Sequence, residues 1–252
     1  MRRAPTTALA LLLAALLLAP HPAGAKAAAL TGTEEPRLGT GLAPSASAQG
    51  SKPRIALDDF LSRLPARVAD QDGTPGDMVN FVLVGSREQV VEALTAAGWQ
   101  QVDRSASEAI LTAILVTLDK KVYVTLPMSE LFLFNRAQDF GFARGEPVRV
   151  VAERHHFRLW EAPWLTEDGQ TIWLGAGTYD AGFEEHQRTG EITHKIDPEV
   201  DTERDYIAST LRAAGCVAGF GYGAPPDPIR ESTTAHGGPF RSDGRIALLL
   251  LK

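Results

Sequence analysis

Phe60 is the first aromatic residue in this chain of 252 residues. Aromatic side chains supply the largest single areas of buried apolar surface, so a stretch without them is poorly equipped to hold a core. Residues 26–52 also lack Val and Ile and are rich in Ala, Gly, Ser, Thr and Pro. Burial there would not offset the entropy of ordering the chain, and the segment reads as a disordered linker. Residues 1–25 open on Arg2 and Arg3, continue through an apolar run at 8–19 and end on Ala23, Gly24 and Ala25. That order is the order of a secretory signal peptide, with cleavage expected after Ala25. The apolar run falls short of the roughly 20 residues that a spanning helix needs, so the mature protein is expected not to span a membrane. A single folded domain is thereby placed at residues 53–252, in a protein expected to be exported to the periplasm or the extracellular space.

Charge and cysteine content narrow the function classes. With 25 Lys and Arg against 31 Asp and Glu the net charge is −6, which argues against nucleic acid as a partner. Cys216 is the only cysteine, so no intrachain disulfide framework and no cysteine-built zinc or iron–sulfur site can form. No cofactor is expected.

Within the folded span, strand and helix signals alternate. Residues 78–84 are rich in Val and Phe and predict a strand, after which Gly85 and Ser86 lead into helical spacing at Val90, Val91 and Leu94. Ser86 with Gln89 makes a capping box, and Gly98 stands where a left-handed helix stop belongs. A second helix is predicted from Ser105 through Leu118, followed by strands at 122–126 and 131–134. Segments 148–160, 171–179 and 192–196 predict strands that neighbour one another in one sheet. Asp197 and Pro198 are expected to open a helix that reaches Ala214, with strands beyond at 216–220 and 245–251. The glycines and prolines between Gly219 and Gly244 predict a long surface loop. Together these elements predict an α+β fold: a mixed β-sheet with helices packed on it.

The residue types that carry chemistry are densest in RHHFRLW, residues 154–160. On a strand, side chains alternate, which puts His156, Arg158 and Trp160 on one face and His155, Phe157 and Leu159 on the other. Two adjacent histidines so placed do not chelate one metal. His155, among apolar neighbours, reads as a hydrogen-bonded core or edge residue. Arg158 offers a planar fork for phosphate or carboxylate, and with Trp160 beside it forms a candidate ligand-binding surface. The alternative is a solvated face that pairs with local acids. Asp180, at a strand end, and His194, in the strand before Asp197, join His156 as candidates for general acid–base work, Asp180 orienting a histidine. No HxH or HExxH pair supports a metal site. Asp197, Glu199 and Asp201 read as a cap and an acidic first turn, and Asp201 can pair with Arg204 at i,i+3. GFGYG at 219–223 leads into prolines, so it is no dinucleotide fingerprint. Ser86 lacks the GxSxG pattern of a nucleophile elbow, and Cys216 reads as an inert thiol.

The ordered blocks NFVLVGS (80–86), ALTAAGW (93–99), LFLFNRAQDFGF (131–142), RHHFRLW, IWLGAGTYDAG (172–182) and ITHKIDPEVDTERDYI (192–207) resemble the LssY C-terminal domain family. The resemblance implies that His155, His156, Arg158, Trp160, Asp180, His194, Asp197 and Asp201 are marked positions, and the chain departs from the pattern at Lys195 and Ala137. It also implies a C-terminal module of bacterial membrane proteins, here in free-standing form, with a membrane or envelope component as the expected partner. The resemblance names no reaction. Two functions are expected from the residues: an envelope-associated accessory or binding module that recognises an anionic group, or a hydrolase acting on a phosphorylated or glycosylated envelope substrate.

Overall fold

A computed structural model describes residues 51–102, 128, 130–145, 153–185, 192–234 and 237–252, without the side chains of 153, 183–185 and 192–194. The predicted signal peptide, nearly all of the linker, the helix expected from Ser105 and the strand at 122–126 lie outside the described residues.

Three helices are described: α1 (Leu57–Arg63), α2 (Arg87–Ala96) and α3 (Val200–Ala213). The strands run β1 (Arg54–Ile55), β2 (Arg67–Ala69), β3 (Pro75–Met78), β4 (Phe81–Val84), β5 (Gln100–Gln101), β6 (Phe132–Leu133), β7 (Arg136–Ala137) and β8 (Phe140–Arg144). They continue as β9 (Glu153–Thr166), β10 (Thr171–Glu185), β11 (Ile192–Ile196), β12 (Val217–Gly223), β13 (Glu231–Thr233), β14 (Pro239–Arg241) and β15 (Ile246–Leu251). The main sheet follows the order β12-β15-β4-β10-β9-β8-β5, with β11 paired to β10 and β1 to β9. β15 runs parallel to β4, and the β9–β10 hairpin is antiparallel and continuous from Leu165↔Thr171 to Glu153↔Ala181 but for one irregularity. A smaller sheet orders β3-β2-β6-β7, and β13 pairs with β14. The fold is α+β, and the sheet is mixed.

Both faces of the main sheet are covered. Helices α2 and α3 pack Val90, Leu94, Ile207 and Leu211 against Phe81, Leu83, Phe157, Leu159, Trp173 and Leu249. The opposite face presents Val82, Trp160, Ala162, Leu174 and Ala176 to Phe60 of α1 and Leu64 just after it, to Val68 and Leu133 of the smaller sheet, and to Leu131 just before β6. β9 therefore lies between two apolar layers, and any polar side chain on it must be matched by another polar group.

Local chemistry explains the borders. The Ser86 hydroxyl accepts from Gln89 N while the Gln89 side chain accepts from Ser86 N, so α2 starts on the predicted capping box; Gly98 follows with φ +82°. Three predicted borders move. The strand predicted at 78–84 is two strands in different sheets. The chain crosses between them at Val79 and Asn80, where the Asn80 side chain donates to Gly177 O and accepts from Gly177 N. Phe134 and Asn135 both have positive φ, so the strand predicted at 131–134 ends at Leu133 in a tight hairpin turn. Helix α3 begins at Val200 rather than at Asp197 and Pro198, because the Asp197 carboxylate accepts from Glu199 N and Pro198 O accepts from Arg241 N. The loop predicted at 219–244 in fact holds most of β12 along with β13 and β14.

Candidate functional site

β9, β10 and β11 lie in one sheet, β9 and β11 each paired to β10, and the alternation on β9 sorts its side chains to two faces as the period of two requires. Arg154, His156, Arg158 and Trp160 share the face turned to the smaller sheet. Register places Asp180 opposite Arg154, Thr178 opposite His156, and Ala176 opposite Arg158. From the smaller sheet, β3 contributes Asp77. All of these polar residues are buried, Arg158 with 4% of its surface exposed.

The result is a row of alternating charge. Arg154 Nε donates to Asp180 Oδ2 at 3.0 Å, and the same oxygen stands 3.5 Å from His156 Nδ1. On its other side, His156 Nε2 shares a hydrogen bond of 3.1 Å with Thr178 Oγ1. Arg158 Nη1 lies 3.7 Å from Asp77 Oδ2. Burial pulls the Arg158 guanidinium below its ordinary pKa, the Asp77 and Asp180 carboxylates oppose that, and Arg154 adds to it. Trp160 is wholly enclosed at the apolar end of the row, facing Leu174 across the strands.

Of the five residues singled out from the sequence, the structure thus gathers His156, Arg158 and Asp180 into one cluster and sets Trp160 on the same face. His194 pairs through its backbone with Phe183 on β10, and its side chain lies outside the described atoms. Three members were not anticipated: Arg154, Thr178 and Asp77. Arg154 and Thr178 follow from the same alternation, two positions before His156 and two before Asp180. Asp77 sits in a Pro-Gly-Asp sequence that resembles a turn, and no local pattern points from it to Arg158.

The opposite face of β9 carries a second polar pair. His155 Nδ1 lies 2.5 Å from Glu203 Oε2 on α3. The imidazole stacks on Tyr206 at a centroid distance of 3.8 Å, tilts against Tyr179 at 4.7 Å and meets the edge of Trp99 at 6.5 Å. Burial raises the Glu203 carboxyl to about 7; the hydrogen bond and charge of His155 oppose the rise, while Asp180 and Asp197 add to it.

Among the described residues no group of three or more His, Cys, Asp and Glu is placed to hold a metal ion, and no helix is long and apolar enough to cross a membrane. A family model described as LssY C-terminus matches residues 61–246, which include both polar groups on β9. The chain belongs to the LssY C-terminus family. No curated protein and no solved structure matches it. In this LssY C-terminal domain Asp201 lies in the acidic first turn of α3 and pairs with Arg204 at 3.1 Å, as its i,i+3 spacing predicts; it also accepts from Ser242 Oγ and Asp243 N.

Proposed function

We propose that this LssY C-terminal domain is an exported, envelope-associated binding module in which Arg158 and His156 recognise an anionic group. The observation that supports it is the row Arg154, His156 and Arg158 facing the two carboxylates of Asp77 and Asp180. The planar fork of Arg158 suits a phosphate or a carboxylate, and His156 beside it adds a ring nitrogen that can donate to the same group. In so dry a setting each charge contact counts for more than it would at the surface.

The test is the thermal midpoint of the mature protein in phosphate, sulfate and chloride. A specific anion stabilises by mass action, by about 2.7 kcal/mol at a hundred times its Kd. Phosphate and sulfate also stabilise proteins by exclusion from their surface, so the decisive quantity is the difference between wild type and Arg158→Lys. Lysine keeps the charge and loses the fork, and should lose most of the response, whereas His155→Ala should keep it. Equal responses in wild type and Arg158→Lys would sink the reading. Export rests on residues 1–25, and intact mass of secreted material should show cleavage after Ala25.

A second reading, a hydrolase of phosphorylated or glycosylated envelope substrates, is favoured by one arrangement: Thr178 hydroxyl, His156 imidazole and Asp180 carboxylate stand in sequence. Turnover of phosphomonoesters, phosphodiesters or glycosides that His156→Ala or His194→Ala abolishes, with the fold intact, would favour it.

A further inference from the structure

The His155 and Glu203 pair lies outside that cluster, on the helix side of the sheet, and its two members differ in access to solvent. The His155 side chain is 27% exposed and that of Glu203 is 2% exposed. The rings of Tyr206, Tyr179 and Trp99 fix the imidazole plane, and the 2.5 Å contact to Oε2 engages Nδ1. Nε2 is then the ring nitrogen left outside that contact, on a side chain that is partly exposed. The second carboxylate oxygen, Glu203 Oε1, is buried and has no hydrogen-bond partner among the described residues. Such an oxygen leaves the carboxylate poorly solvated and therefore more basic. Among the described residues, charged and titratable groups reach the pair from several elements. They are Tyr206 on α3, Tyr179 and Asp180 on β10, Asp197 ahead of α3, and Arg144 on β8, which faces His155 in register and lies 5.7 Å over the Tyr206 ring.

We propose that His155 is a nucleophilic acid–base centre for ester-type electrophiles, separate from the His156 cluster, with Glu203 as the positioning residue that takes up the Nδ1 proton. Nε2 attacks the electrophilic carbon of an acyl ester. The bond from that carbon to the leaving oxygen breaks, and the leaving group departs with the electron pair. The Nδ1 proton passes to Glu203, which leaves a neutral acylimidazole. Water then adds to the same carbon, the carbon–nitrogen bond breaks, and Glu203 returns its proton to Nδ1. One water proton stays on the acid product, and the other replaces the proton that the leaving alkoxide took from solvent. A carboxylate that orients and relieves an imidazole in this way is the arrangement that nucleophilic and general-base histidines require. The inference is independent of the anion reading, which concerns the other face of β9.

Diethyl pyrocarbonate, an activated acyl carbonate, tests it without knowledge of the substrate. The full chain is treated at several pH values and the modification of each histidine is followed by peptide mass spectrometry, with N-acetylhistidine as the internal standard. His155 should react faster than the standard although it is only partly exposed, and His156 should be nearly inert. Glu203→Gln should slow His155 by about tenfold, a modest loss for removal of a base's partner, and move the midpoint of its pH profile. Glu203→Asp should restore part of the rate. A purely structural Glu203 would change neither the rate nor the profile in variants that keep the circular dichroism spectrum. Reaction of His155 no faster than the standard in the wild type overturns the proposal, as does a rate and profile unchanged in either variant. The wild-type comparison decides even if Glu203→Gln does not fold.

Discussion

At the scale of single residues, Glu203 links stability to pH with a definite sign. Its carboxyl stands at about 7 in the folded chain against an ordinary 4.5. The folded state therefore holds the proton more tightly than the unfolded state does. The stabilisation that protonation confers is fully present below about pH 4.5 and is lost as pH rises through about 7. Urea titrations across that window should show a decline of roughly 3–4 kcal/mol from this group, and Glu203→Gln should flatten it. An unflattened curve in the variant would assign the decline to other groups. Asn80 makes a different kind of prediction. Its side chain stands in for a strand partner of Gly177, so Asn80→Ala strands a buried N–H and C=O and should cost about 2–3 kcal/mol. The period of two on β9 was enough to part His155 from His156 by face. What it could not supply was the partner of each: Glu203 and Asp77 arrive from elements far away in the chain, and neither lies in a local pattern that names its contact.

At the scale of elements, helix α2 was legible in both borders because its start and stop are made by neighbours in sequence: Ser86 with Gln89, and Gly98. Helix α3 was legible in its body and wrong at its start, because the Asp197 carboxylate accepts from Glu199 N and Arg241 N takes Pro198 O, which engages the two residues expected to open it. The two cases predict opposite rankings. Ser86→Ala should cost about 1 kcal/mol, the usual worth of a cap. Asp197→Ala should cost less than Asp201→Ala, although Asp197 is the better cap by sequence. Asp201 receives hydrogen bonds from Ser242 and Asp243 and pairs with Arg204, whereas Asp197 receives one from Glu199. Chemical denaturation of the pair decides this, and an equal or reversed order would show that the Asp201 contacts contribute little. Arg204 is the hub of that corner. Despite the desolvation that would lower it, hydrogen bonds to Asp205 and Asp243 push its pKa up, and the same bonds hold Asp243 well below the usual carboxylate range.

At the scale of the whole molecule, the fold class was readable because strand and helix periods are strong across the described span, and the covering of both sheet faces explains why so many strands lack a polar side. The smaller sheet was hardly readable: its strands are two to four residues long, too short for a periodic trace, and its two local hairpins are joined by the single long-range pair Ala69↔Phe132. A chain that starts at Ser51 should keep the thermal midpoint of the longer one, since Lys52 is the earliest residue with a described bond into the fold, to Glu161 and Ala162 O. A midpoint lowered by several degrees would show that earlier residues contribute to stability. The position of β15 has a further consequence for how the molecule comes into being. It is the latest strand in chain order, yet it sits inside the sheet, hydrogen-bonded to β12 on one side and β4 on the other. Until residues 246–251 are in place, β12 has no strand to pair with in the main sheet and β4 keeps an open edge, so this end of the sheet closes only when β15 docks between them.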